Sequence, residues 1–441
     1  INYPKGCHPY KFPPAIPTNL FKGSDGFKVE FYDGQEFEGS PIETKVLKGN
    51  KFWAMGGFGL DIVAQSKRPS LSVRFTAELQ PEFSGEYDFE IFSIGPSRLS
   101  INNESLIDNW TSQEPGDAFF GMGSAPKRAT INFEKGQSYN LEVEYKWEGR
   151  FPAVQIGMQA PDQFDLMQEA LNLAQESDAV ILVVGTNSDW ETEGNDRSSL
   201  ELPLNQNELI QKVCSLNKNT VVVLNTGSPC EMPWVDDANS ILQCWFPGQE
   251  FGNSLADILF GKTNPSGKLP TTFPKTLPDT PAYSSYPGKD LQMDYEEGLY
   301  IGYRWYDKEN IEPLFPFGHG LSYTSFEYSN LRAIPPKGES SVAAFELDIK
   351  NSGDIEGKEI IQCYVGVSNS QIDRPIKELK KFEKIHLNPG ESKKIKFELT
   401  ERDLSFWNIE THSWQIEPAE YVFEVGASAT DIREQTTVWL G

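Results

Sequence analysis

The spacing of apolar residues changes period twice along the chain, and that change limits the fold more than any other feature. From about Gly26 to Asp162 apolar and polar residues alternate, as in Phe27–Tyr32, Leu71–Thr76, Gly85–Ile91 and Tyr139–Tyr145. A period of two, with turns between the runs, predicts sheets wet on one face and hence a β-sandwich. At about Pro161 the period lengthens. Phe164, Met167, Ala170, Leu171 and Ala174 recur at helical spacing, and Ala179–Gly185 then reads as a fully buried strand. Helical text at Gln206–Leu216, strands at Thr220–Asn225 and Ser240–Cys244, and a helix at Phe251–Leu259 follow. Such alternation predicts a parallel sheet covered by helices. From about Ser325 to Gly441 the period of two returns, in Ala343–Lys350, Ile360–Val367, Lys394–Leu399 and Ala419–Val425, which predicts a second, smaller sandwich. Residues 1–25 are proline-rich and irregular.

At 441 residues the chain exceeds one ordinary core, so two to four domains are expected. Sixty-four acidic against thirty-nine basic side chains give a formal charge of −25, which argues against nucleic acid or an anionic membrane as partner. A neutral sugar is compatible with that charge. The five cysteines (Cys7, Cys214, Cys230, Cys244, Cys363) lie far apart without a C-x-x-C pair, so no disulfide framework is predicted. The four histidines never approach metal-ligand spacing, and neither a metal nor another cofactor is expected. No apolar run approaches bilayer length or resembles a signal peptide. An isoleucine at position 1 points to a processed, cleaved or partial product. Two N-x-S/T triplets begin at Asn103 and Asn109, and they matter only on a secretory route, so a secreted and a cytoplasmic protein are both compatible.

The strand at 179–185 runs into Thr186–Arg197, and ligands of open α/β sheets gather at the carboxyl ends of strands. This loop holds Asp189, Glu191, Glu193 and Asp196 together with Trp190 and Arg197. A glycosidase needs a protonated carboxyl beside the leaving oxygen and a second carboxylate at the anomeric carbon, and such a loop could supply the first. The plain alternative is a solvated acidic loop capped by Arg197.

Several stretches carry a resemblance. WETEGNDRSSLELP (190–203) resembles the acid/base loop of family 3 glycoside hydrolases, where a Glu-Gly-x-Asp-Arg run follows a strand. Asn264–Pro270 with Thr272–Pro274, Phe315–Thr324 and Arg374–Phe382 look like further text of that family, in the expected order. Residues 26–160 are similar to the protective-antigen-type β-sandwich inserted in a subgroup of β-glucosidases. The resemblance covers nearly the whole chain. It implies an α/β plus all-β fold: part of an α/β sandwich domain, interrupted by a β-sandwich insert and followed by a fibronectin type III-like sandwich. The implied divisions are 1–25 (the end of the first part of the α/β domain and a linker), 26–162 (the insert), 163–310 (the α/β domain with the acid/base loop) and 311–441 (linker and fibronectin-like domain).

Carried over to this sequence, the resemblance makes Glu193 the general acid/base, with Glu191 as rival because the loop varies in length. Asp196 and Arg197 are implied as an ion pair that stabilises the loop. Trp190 could stack on a sugar or pack the loop against the sheet. Phe119 and Phe120 resemble a loop that walls the leaving-group side of the site, with Phe120 the better match; on a strand one of the two must be exposed. Ser188-Asp189-Trp190 repeats the family's nucleophile triplet, but Asp189 shares one short loop with Glu193. Two groups so placed cannot easily face each other across a gap of about 5 Å.

The family's barrel, with its nucleophilic aspartate, has no counterpart in this sequence, and the first half of the α/β domain is missing too. The implied function is a retaining exo-β-glycosidase, foremost a β-glucosidase, acting on terminal non-reducing sugars of short oligosaccharides or glycosides. The implied partners are that substrate and the barrel-containing N-terminal half, and a homo-oligomer is compatible. The alternatives are a β-xylosidase or xyloglucan-oligosaccharide hydrolase of the same family, and a non-catalytic carbohydrate-binding module. A serine hydrolase is disfavoured, since no G-x-S-x-G elbow is present.

Overall fold

Alternating sequence becomes strand at the predicted places. The computed structural model describes residues 2–53, 70–148, 151–193, 196–338 and 340–441. These fall into two units, one of residues 1–198, 203–224 and 236–242, the other of 199–202, 225–235 and 243–441. In the first unit the described strands are β1 (Phe27–Asp33), β2 (Glu43–Leu47), β3 (Lys51–Trp53), β4 (Ser70–Leu79), β5 (Gly85–Ile94), β6 (Ser97–Ile101), β7 (Glu104–Asn109), β8 (Lys127–Phe133), β9 (Tyr139–Glu148) and β10 (Ala153–Gln159). They form two antiparallel sheets, ordered β2-β1-β4-β9-β6-β7 and β3-β10-β5-β8. Phe27, Val29 and Phe31 of β1 point inward with Val73 and Phe75 of β4, Phe89 and Ile91 of β5 and Ile156 of β10. Each such side chain contributes about 1.5–3 kcal/mol by leaving water.

The same unit holds an α/β layer, all but the last residues of its second and third strands: α1 (Leu166–Glu176), β11 (Val180–Gly185), α2 (Gln206–Leu216), β12 (Thr220–Asn225) and β13 (Ser240–Gln243), with strand order β11-β12-β13. Asp165 caps α1 by accepting from the Gln168 N–H at 3.0 Å. Ala170 and Ala174 of α1 pack on Leu209 and Val213 of α2, over Val180 and Leu182. Two expectations are corrected here. Phe164 precedes the cap and is exposed, so the buried stripe starts at Met167. β11 is not buried on both faces: Ile181 and Val183 are each 52% exposed, because among the described residues the helices cover one side only.

In the second unit α3 (Phe251–Leu259) and α4 (Tyr303–Glu309) precede a sandwich. Its strands are β14 (Phe326–Ile334), β15 (Ser341–Asn351), β16 (Gly357–Val367), β17 (Glu378–Leu387), β18 (Ser392–Thr400), the hairpin β19 (Phe406–Asn408) and β20 (Ser413–Gln415), β21 (Ala419–Gly426) and β22 (Ile432–Leu440). The larger sheets are ordered β14-β15-β18 and β17-β16-β21-β22 around Leu347, Ile361, Phe397 and Val425. Two of the sequence motifs meet here. Leu269 N–H donates to His319 O and Gly318 N–H to Leu269 O, both at 2.8 Å, and Phe273 N–H donates to Phe315 O at 2.8 Å. Lys268 donates to Gly320 O at 2.8 Å and pairs with the buried Glu359 at 3.0 Å. Gly318 (φ 81) is required there, since a Cβ would strike the Gln362 amide.

Candidate active site

The loop after β11 is anchored at its root by a buried glutamine. Gln206 at the start of α2 accepts from the Gly185 N–H at 2.6 Å and donates to Gly185 O at 2.9 Å, so the last residue of β11 is held through both its backbone polar groups. Beyond it the chain turns at once: Trp190 and Glu191 both donate their N–H groups to Asn187 O, at 3.0 and 2.9 Å, and Asp189 N–H donates to Asn187 Oδ1 at 2.9 Å. Short Asn side chains favour such local bonding.

The two glutamates differ in surroundings. Glu191 Oε1 accepts from Thr186 Oγ1 at 2.8 Å and lies 3.3 Å from Arg197 Nη1, with its side chain 13% exposed. It is a charge-assisted brace across the loop. Glu193, two residues further along the loop, is exposed. Gly194 and Asn195, which complete the motif, lie outside the described residues. Arg197 therefore meets Glu191, a pairing that the sequence reading did not assign to it, and Asp196 is exposed.

Trp190 is turned to the N-terminal segment. Its Nε1 donates to Pro9 O at 2.9 Å, and Lys11 Nζ stands 5.8 Å from the ring centroid. Asn187 Nδ2 reaches the same carbonyl at 3.5 Å. Asp189 lies 3.8 Å from Lys51 Nζ of β3. The buried Glu90 of β5, which is paired with Arg128, also senses Asp189: burial raises its carboxyl pKa, Arg128 opposes that, and the Asp189 charge adds to it. The loop thus rests on the β3-β10-β5-β8 sheet of the insert and on residues 9–11.

Phe119 and Phe120 are not on a strand, which corrects the expected geometry although one ring is indeed exposed. They occupy a tight turn, both left-handed (φ 53 and 61), closed by the Gly123 N–H donating to Ala118 O at 2.9 Å. Phe119 is 8% exposed and packs on Phe92, with centroids 5.5 Å apart; Phe120 is 44% exposed. Trp53 of β3 lies against Phe120, its ring 18° from parallel with centroids 6.2 Å apart. The two N-x-S/T triplets also part company. Asn103 is exposed at the β6–β7 turn, whereas Asn109 is fully buried and donates to Ser93, Ser97 and Ser124.

Lys51, Trp53 and Pro9 stand out by nothing in the sequence, and Thr186 only as the start of the loop. The residues joined to the loop from β3 and the N-terminal segment are remote along the chain, and no motif marks them. Among the described residues no three His, Cys, Asp or Glu side chains are grouped as metal ligands. None of the helices described is long and apolar enough to cross a membrane.

Comparison with known proteins places this geometry. Residues 121–323 match the glycosyl hydrolase family 3 C-terminal domain, 61–162 the PA14 domain and 359–429 a fibronectin type III-like domain. A β-glucosidase of Rhizobium radiobacter is 37% identical over 434 residues, 96% of this chain and 52% of that protein. One from Kluyveromyces marxianus is 39% identical over 379 residues, 83% of this chain and 44% of that protein. The crystal structure of the Kluyveromyces marxianus β-glucosidase in complex with glucose matches with a TM-score of 0.89 at 33% identity, covering 99% of this chain and 54% of that one. The chain spans about half the length of these relatives. With its C-terminal domain, PA14 insert and fibronectin type III-like sandwich, the chain belongs to glycoside hydrolase family 3 and is β-glucosidase-like.

Proposed function

We propose that this chain supplies the general acid/base of a retaining, exo-acting β-glucosidase, while the nucleophile lies on a barrel contributed by the N-terminal half of the same protein. The division between two neighbouring glutamates carries the reading. Glu191 is committed to Thr186 and Arg197, and Glu193 stands exposed on the loop that they brace. In the first step the Glu193 carboxyl protonates the leaving glycosidic oxygen; in the second its carboxylate takes a proton from the water that attacks the glycosyl-enzyme. A carboxyl in that role works best with a raised pKa, which an anionic nucleophile across the cleft would supply. The substrate is a terminal, non-reducing β-linked glucose on a short oligosaccharide or glycoside, with the exposed Phe120 ring walling the leaving-group side.

The bare flank of β11 supports the partner half. Ile181 and Val183 leave apolar surface on the side opposite α1 and α2, and β11 ends the sheet order. A strand so exposed invites another layer.

The test is Glu193→Gln in the polypeptide that joins this chain to the barrel half. Turnover of a disaccharide is expected to fall about 10²–10⁴-fold, with sugar affinity kept. Parent-like turnover would refute the assignment.

A further inference from the structure

Strand β3 has only three residues, so its alternation is simple to read. Phe52 is buried in the sandwich core, and Lys51 and Trp53 therefore share the opposite face, roughly 7 Å apart along the strand. β10 holds that register, pairing Gln155 with Lys51, Val154 with Phe52 and Ala153 with Trp53. From this one face Lys51 reaches Asp189 at 3.8 Å, and Trp53 lies against the exposed Phe120 ring. Asp189 sits on the turn that leads into Glu191 and Glu193, and Phe120 on the turn that closes at Gly123. These two functional candidates come from distant parts of the chain and meet on the same short strand.

We propose that Lys51 and Trp53 are positioning residues that hold the acid/base loop and the Phe120 ring in fixed relation, keeping protonation of the leaving group aligned with its recognition. The proposal rests on the reading of Glu193 as acid/base. Positioning matters because a proton donor displaced by a fraction of an ångström loses much of its effect. The expected size is moderate. Lys51 and Asp189 form a loose, partly exposed pair, and the Trp190 Nε1–Pro9 O bond remains as a second tether when it is lost. Trp53 acts on the other partner: Phe119 packs on Phe92 and Trp53 together, and the exposed Phe120 ring has Trp53 as its aromatic backing.

The experiment uses the polypeptide that joins this chain to the barrel half, with three substrates: 2,4-dinitrophenyl β-glucoside, whose dinitrophenolate departs without protonation, phenyl β-glucoside, whose phenol leaves only when protonated, and a β-linked disaccharide. For Lys51→Met, the ratio of kcat/KM for phenyl over dinitrophenyl glucoside is expected to fall about fivefold, and Lys51→Arg to restore it. Asp189→Asn cuts the same contact from the loop side and should reproduce the fall, which covers a Lys51→Met protein that fails to fold. Trp53→Ala should raise KM for the disaccharide about fivefold while inhibition by free glucose stays at the parent level. A parent-like ratio in both Lys51→Met and Asp189→Asn, or an equal loss on all three substrates, would overturn the proposal. Glu193→Gln on the same series separates the two ideas: if it is selective and the Lys51 and Asp189 variants are not, only the positioning role falls; if it is not selective, the acid/base reading itself falls.

Discussion

The insert sandwich and the α/β layer lie in the same unit and use apolar sequence in opposite ways. In the sandwich, inward side chains of both sheets meet one another, and Phe27, Val29, Phe31, Phe75 and Phe89 are fully buried. In the α/β layer α1 and α2 bury one face of β11, while Ile181 and Val183 on the other stay half exposed. A closed core can stand by itself, whereas a half-covered strand needs something further. One region covers its own apolar surface; the other leaves some bare, where the proposed partner half would sit.

The largest expected effect tests that dependence. The isolated 1–441 chain is predicted to have no measurable activity on an aryl β-glucoside and to aggregate through the bare β11 flank, as followed by light scattering. Ile181→Lys should reduce that scattering in the isolated chain. Turnover by the pure chain, or scattering unchanged by Ile181→Lys, would erase the contrast. Next in size, Phe75→Ala should cost the sandwich about 3–5 kcal/mol, because the ring lies between Phe27 and Phe52 in a closed core. Denaturant unfolding of the insert measures it, and a cost below about 1 kcal/mol would mean that the core repacks.

A smaller effect concerns pH. Glu144 on β9 is nearly buried between Arg74 and Arg98. Burial pushes its carboxyl pKa up, but the two guanidinium groups outweigh this, and the net pKa is lowered. A carboxyl with a lower pKa folded than unfolded stabilises the native state above its unfolded value, and the gain fades as pH falls through the folded one. Glu144→Gln should therefore destabilise the sandwich by about 1–3 kcal/mol at neutral pH and by less in acid. A cost that is the same at both pH values would remove this role.

Most elements were legible because periodicity is a local property. The helices Gln206–Leu216 and Phe251–Leu259 and the strand Thr220–Asn225 begin and end where the apolar pattern places them. The exposure of β11 was not legible, since a run of apolar residues has the same spelling whether one face or both are covered. The site was legible in part. Glu193, Glu191 and Arg197 stand out by motif, but the bond from Trp190 to Pro9 spans 181 residues of sequence, and nothing periodic records it. The Phe119–Phe120 turn was hidden for another reason: two successive left-handed phenylalanines oppose ordinary backbone preference, and the packing of Phe119 on Phe92 and Trp53 offsets the first. Asn109 shows the same limit, as a sequon whose side chain is spent inside the fold on three serines.

Glu193, not Glu191, is the proposed proton donor to the leaving group. Glu193→Gly in the polypeptide joined to the barrel half, assayed on 2,4-dinitrophenyl β-glucoside with and without azide, tests it directly. Azide is expected to restore turnover and to yield β-glucosyl azide with retained configuration, because the anion enters the space left by the missing carboxylate and needs no base. Glu191→Gly should give no such product. Glucosyl azide formed by Glu191→Gly and not by Glu193→Gly would contradict the assignment.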